Sequence, residues 1–409
     1  MSWFSNLRGG SWAVLALACP VCLAACSSDG DEGTPKSKPD VAVSSEALQN
    51  RAYIVSLESD ELTVIDLDKL EIIGQVPTLG KSNHMADISA DFKKVFIDSS
   101  HSDEVVVVDA VKLKVTNRVA LGKHPGHLSM TPDGNRFAIM AEESNEVALF
   151  DPIAEEVVTR IGGFNTPHFM RFDAEGKYGY VANIGGNQVS RVDMETLQVV
   201  ENIGLDGMLA GETNTAEGGF ADAQISPDGI LYAAHHETGK VLVYDTKSHK
   251  KLEELKSGVG PWVAFAEHPF KGIALKHLVP NFGDQTLTLI DAKTRSKPSV
   301  WKKLEGDEEA YGVNFSPLVP ELAFVMNRVR KDIAVVDTEA GEILERIDVG
   351  GNTETASTTP DGKLIVATVS DANKVVVIDA KTRAVKKVFE NVGKYPWSVT
   401  IPGGQNYCH

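Results

Sequence analysis

Four histidines and one aspartate are the residues of this sequence best suited to chemistry. They occur in Asn83-His84-Met85, His124-Pro125-Gly126-His127, Pro167-His168-Phe169 and Phe220-Ala221-Asp222. Neutral imidazole and carboxylate both bind borderline divalent metals. Three imidazoles plus one carboxylate make a tetrahedral zinc set, with Zn–N near about 2.0–2.1 Å. Cu²⁺ and Ni²⁺ accept the same donors, so donor type alone does not choose the metal. The candidate set is His84, His127, His168 and Asp222, with His124 as the substitute if His127 points away. His235, in Ala234-His235-His236-Glu237, is a candidate outer ligand. None of these spacings is a compact metal motif, because 43 and 41 residues separate His84, His127 and His168. Only a fold of matching period can bring them together.

Such a period is present. A β-branched run ending in aspartate recurs at Asp66, Asp109, Asp151, Asp193, Asp245, Asp291, Asp337 and Asp379, at intervals of 43, 42, 42, 52, 46, 46 and 42. Each unit reads as four short strands with turn residues between them, which is one blade of a β-propeller. The predicted fold is all-β, a single eight-bladed propeller over residues 51–409. The folded part begins with a second-type strand at residues 52–56 and ends with a lone first-type strand at 397–401. The last strand therefore completes the first blade and leaves no open sheet edge. Residues beyond it, including Cys408 and His409, are expected to fray.

In this arrangement the innermost strands line a central channel. His84, His124, His127 and His168 enter first strands, and His101, His235, His236 and His277 leave second strands. All eight are expected on one face, here called the top. His249 and His268 fall on the bottom, and His409 is terminal. One difficulty is register. His84 and His168 sit one place earlier in their strands than His127 and Asp222, and neighbouring strand positions point oppositely. Convergence of the four needs a bulge or a frayed start. The longest interval holds an insertion, residues 205–219, expected as a top-face loop beside Asp222, either a lid, a docking surface or a tolerated insertion.

The first 25 residues read as an export signal: Arg8, an apolar stretch, then Leu23-Ala24-Ala25-Cys26. The apolar run is too short to span a membrane. Leu-Ala-Ala-Cys looks like a bacterial lipobox, which implies a diacylated Cys26, a membrane anchor and a periplasmic protein. Ser27 after the cysteine resembles an outer-membrane address. Residues 26–50, rich in Ser, Asp, Glu, Pro and Lys, read as a disordered tether. Cys19 and Cys22 leave with the signal, so no internal disulfide is available. The net charge of −17 disfavours nucleic acid as a partner and mildly favours cations.

Tyr180-Val181-Ala182-Asn183 with Val189 and Asp193, and Ser226-Pro227-Asp228-Gly229, resemble the bacterial YVTN-type propeller repeat over nearly all of residues 51–401. Asn83-His84-Met85-Ala86-Asp87, His124-Pro125-Gly126-His127, Ala234-His235-His236-Glu237 and the ending Gln405-Asn406-Tyr407-Cys408-His409 resemble the AztD-type zinc metallochaperones. That resemblance implies a periplasmic carrier that holds zinc and hands it to the substrate-binding protein of a zinc ABC transporter. The chain departs from the pattern in having no histidine in the tether, where such carriers have a mobile His-rich segment, and in its lipid anchor. Two other readings compete. One is an interaction scaffold that binds a protein or polymer without metal. The other is a propeller enzyme, lactonase-like or metal-dependent. No Cys-x-x-Cys-His haem motif and no nucleophile–base pair at local spacing support the second, and the sequence reads as a binding protein rather than an enzyme.

Overall fold

The computed structural model describes residues 44–266, 276–292, 300–305 and 309–407. The export signal, Cys26, the tether up to residue 43, His268, Cys408 and His409 lie outside the described residues. Eight sheets form the predicted eight-bladed propeller. Blade one takes Arg51–Ser56, Glu61–Asp66 and Glu71–Pro77, and Pro396–Thr400 completes it. Blades two to eight begin on the inner strands Asn83–Ile88, Pro125–Met130, Pro167–Phe172, Gln224–Ile225, Phe265–Ala266, Ala310–Phe315 and Thr353–Thr358.

The sequence pattern explains these blades. Third strands such as Glu104–Asp109 (EVVVVD) are buried on both faces, because each blade is sandwiched between two others. Outer strands such as Glu156–Gly162 alternate between exposed and half-buried positions, since one face meets water. The apolar residues sort into eight clusters, most of them drawn from two neighbouring blades, while two reach further round the channel through inner residues such as Ile184, Phe169 and Trp397. The ring is therefore held blade by blade, and every fully buried Phe or Val adds about 1.5–3 kcal/mol of apolar burial to one interface.

The recurring aspartate has a local cause. Asp66, Asp109, Asp151, Asp193, Asp245, Asp337 and Asp379 each accept the backbone N–H groups two and three residues on. This turn closes the hairpin between the third and fourth strands.

Closure occurs as the strand register predicts, with Ile54 opposite Val399 and Tyr53 opposite Thr400. Two features differ from the sequence reading. The tail does not fray directly after the closing strand: Gln405–Tyr407 adds a fifth strand to blade eight, pairing Ala356 with Tyr407 and Thr358 with Gln405. The folded part also starts before residue 51. Ser45–Gln49 is a short helix whose Ser44 side chain accepts the Ala47 N–H, and its Leu48 is 1 % exposed in the cluster between blades one and two. So short a helix is not stable alone, and the buried leucine holds it.

Candidate metal centre

The inner strands of blades two, three and four each carry a β-bulge at the histidine. The pairing slips between Asn83 and Ala86, between Pro125 and Leu128, and between Pro167 and Phe169. A bulge adds a residue without changing the rest of the strand, and so re-aims one side chain. This removes the register conflict between His84, His127 and His168. In blade two the bulge is held by Asp98, whose Oδ1 accepts the N–H groups of both His84 (3.2 Å) and Met85 (2.6 Å).

Backbone carbonyls orient two of the imidazoles. His84 Nδ1–H donates to the Gly126 carbonyl at 2.7 Å, and His168 Nδ1–H donates to the Ala221 carbonyl at 2.8 Å. A carbonyl can only accept, so both rings carry their lone pair on Nε2. Metal-bound histidines are oriented in this way by a carbonyl or carboxylate on the other nitrogen. The three rings are consecutive neighbours, with centroids 4.8 Å apart for His84–His127 and 4.2 Å for His127–His168.

The carboxylate that joins His127 and His168 is Glu142 and not Asp222, and His84 lies beside this group in edge contact with His127. Ligand atoms of His127, Glu142 and His168 lie within 4.8 Å of one another, and His127 Nδ1 is 3.8 Å from Glu142 Oε1. Glu142 follows the second strand of the same blade, in a 3₁₀ turn at Glu142–Ser144. A Cβ at Gly126 would collide with the Glu142 carboxylate, so the glycine of His124-Pro125-Gly126-His127 is what admits it. The sequence signal was available: Glu142 leaves a second strand, at the top, in the blade of His127. Attention to histidines alone passes it over.

Asp222 is fully buried and committed elsewhere. It takes Arg171 through Nε (3.1 Å) and Nη2 (2.5 Å), together with the Gln224 amide. His124 is not needed as a substitute, because His127 faces the group. The Nε2 of His124 is 4.0 Å from Glu142 Oε2, and its ring meets His101 at 5.8 Å, outside the central three. His235 is not an outer ligand. Its Nε2–H reaches Asn187 Oδ1 and its Nδ1 accepts from Thr238 Oγ1, both at 3.2 Å, and burial pushes it down to about 4. His277 is not on the top face, since it is the second residue of Lys276–Asn281, opposite Ala266 near the bottom turn. The insertion at 205–219 is pinned down: Gly211 and Thr213 bond to Asn187 and Gly185, and Glu237 holds Asn214 and Thr215.

Around the group runs a closed belt of six rings. His84, His127, His168, Trp262, Tyr311 and Trp397 meet in turn, and the last contact, Trp397 to His84, is 5.5 Å. The aromatic half carries the Arg328 guanidinium, 3.5 Å over Tyr311 and 5.5 Å over Trp397 and ion-paired with Glu354. Burial, reinforced by the fields of Glu217 and Glu143, pushes the Glu142 carboxyl up to about 8. Burial likewise pushes Asp98 far above the usual carboxylate range, with Glu142 adding to the effect. Three imidazoles with the half-buried Glu142 and the buried Asp98 carboxyls form a site that a divalent cation would stabilise.

A YNCE-like beta-propeller family model matches residues 74–194. No curated protein matches the sequence. Among solved structures, the dihydro-heme d1 dehydrogenase NirN is 18 % identical with a TM-score of 0.66, covering 87 % of this chain and 76 % of its own. AztD from Citrobacter koseri, in its apo form, is 15 % identical with a TM-score of 0.60, covering 88 % and 99 %. Hydrazine synthase from Kuenenia stuttgartiensis is 19 % identical with a TM-score of 0.54, covering 75 % and 95 %. At such identities the likeness concerns the fold: the chain is an eight-bladed β-propeller with a YNCE-like segment, and AztD is among its structural neighbours.

Proposed function

We propose that the top of the channel is a zinc site, and that the protein is an exported, lipid-anchored zinc carrier rather than an enzyme. The observation that carries this reading is the group His127, Glu142 and His168, with His84 beside it and two of the imidazoles oriented by carbonyls. With His84 the shell has four protein ligands, which suits holding a metal. With three, a water would fill the fourth position, as in catalytic sites. The likeness of the histidine segments to AztD-type metallochaperones supports delivery to the substrate-binding protein of a zinc ABC transporter. His101 and His124, in edge-to-face contact outside Glu142, are the residues available for a relay toward the top surface.

The test is elemental analysis of protein purified without added metal and without a histidine tag, followed by zinc titration against a competing chelator. One equivalent of zinc is expected. His84→Ala and His168→Ala should bind more weakly, and His249→Ala on the bottom face should bind as the wild type does. A protein that binds no zinc, or three variants that all bind normally, would leave the scaffold reading in its place.

A further inference from the structure

Next to the ring belt lies a cavity of about 370 Å³. Met85, Leu128 and Phe169, the residues that follow His84, His127 and His168, line its upper part, and Pro227 of a bottom turn and Gln405 of the tail strand line the rest. The size lies within the range of small-molecule sites, and a few convergent polar groups are what such sites use for recognition.

Three of those groups are informative. Asp87 faces the cavity with Oδ1 accepting the Ile88 N–H, and no cation pairs with it among the described residues. Burial, opposed by the Ile88 N–H bond and by the field of Arg171, pushes its carboxyl up to about 7. Arg171 lies 3.9 Å over the Phe169 ring, with Nε and Nη2 spent on Asp222. Gln405 is 2 % exposed, and its Oε1 accepts the Phe315 N–H at 2.9 Å, which fixes the orientation of the amide. Its Nε2 then finds no acceptor among the described residues. A buried amide N–H without a partner costs about 1–3 kcal/mol. The ring is already closed by Pro396–Thr400, so the extra strand is not required for closure. What it adds is Gln405 at the cavity wall.

We infer that this cavity is a second ligand site, for a small zwitterion of the amino-acid class. The ligand's ammonium group pairs with Asp87. Its carboxylate takes the Gln405 Nε2–H and the guanidinium edge that Asp222 leaves unused. A purely anionic ligand would meet Asp87, and a purely cationic one would leave the Gln405 donor unsatisfied. The site is separate from the histidine group and does not depend on the zinc reading.

The test is isothermal calorimetry on the mature protein, both zinc-loaded and chelator-treated, with the common amino acids and with ethylamine and acetate as half-ligands. At least one amino acid should bind, equally well with and without zinc, and each half-ligand should bind about tenfold more weakly or worse. Asp87→Asn and Gln405→Glu should each weaken binding by about tenfold or more while leaving zinc affinity unchanged. An unchanged circular dichroism spectrum and melting temperature show that the ring is intact, whether or not the protein binds zinc. If Gln405→Glu disturbs the ring, Asp87→Asn decides alone. No heat from any amino acid, full binding in Asp87→Asn, equal binding of ethylamine alone, or binding that requires zinc would each overturn the inference.

Discussion

Glu142→Gln keeps the size of the side chain and removes its charge, which makes it a sharp test of the metal centre. The carboxyl is raised from its ordinary 4.5 to about 8. At neutral pH the metal-free group therefore holds a proton that an incoming metal must expel. One pKa unit corresponds to about 1.4 kcal/mol, so this group alone gives the wild type about a tenfold gain in zinc affinity per pH unit, levelling off above its folded value. In Glu142→Gln that increment disappears. The histidines titrate in both proteins, so the ratio of the two affinities cancels their contribution. The same shift acts on stability with opposite sense. A raised folded pKa gives stability that is complete below the unfolded value, 4.5, and lost as pH rises through about 8. The full shift would amount to at most about 5 kcal/mol. With 15 % of the side chain exposed, a loss of about 2–4 kcal/mol is the figure to expect. Metal-free Glu142→Gln should thus bind zinc more weakly yet melt higher than the wild type at alkaline pH. Zinc titrations against a chelator, and thermal melts in excess chelator, both run from about pH 6 to about pH 9, read the two effects. An affinity ratio that does not change with pH, or a variant no more stable than the wild type at the alkaline end, would refute the reasoning.

Three further outcomes follow from the contacts. Gly126→Ala, which alters no ligand, should push Glu142 aside and lower zinc affinity by about 10–100-fold with little change in the circular dichroism spectrum. Asp222→Asn should destabilise the fold by about 3–5 kcal/mol in denaturant titration, because it leaves Arg171 without its counter-ion, and should leave zinc affinity unchanged. Cys26→Ala should move the protein from the membrane to the soluble fraction; a wild type found wholly soluble would contradict the lipid anchor.

Much of the architecture was legible from the chain. The intervals between the recurring aspartates reflect a local device, a carboxylate capping two N–H groups within three residues, and local devices leave marks at fixed spacing. The strand types at residues 52–56 and 397–401 disclosed the closure for the same reason: a strand's place in a blade follows from the turns beside it. The tail strand and the helix around Leu48 were not legible. Their positions depend on surfaces built elsewhere, the free edge of Thr353–Thr358 and the groove between blades one and two.

The histidine group divides along the same line. That His84, His127 and His168 reach one end of one channel follows from sequence alone, since each sits at the start of an inner strand and consecutive blades place those starts side by side. Which atoms meet there was decided by tertiary structure. A one-residue change of register turns a side chain to the other face, and the bulges that absorb it are stabilised by distant groups such as Asp98. The choice between Asp222 and Glu142 was settled by competition: Arg171, three residues beyond His168, claimed the first, and the missing side chain of Gly126 made room for the second. Sequence spacing records neither event, because a salt bridge between blades and a steric vacancy exist only once the ring has closed.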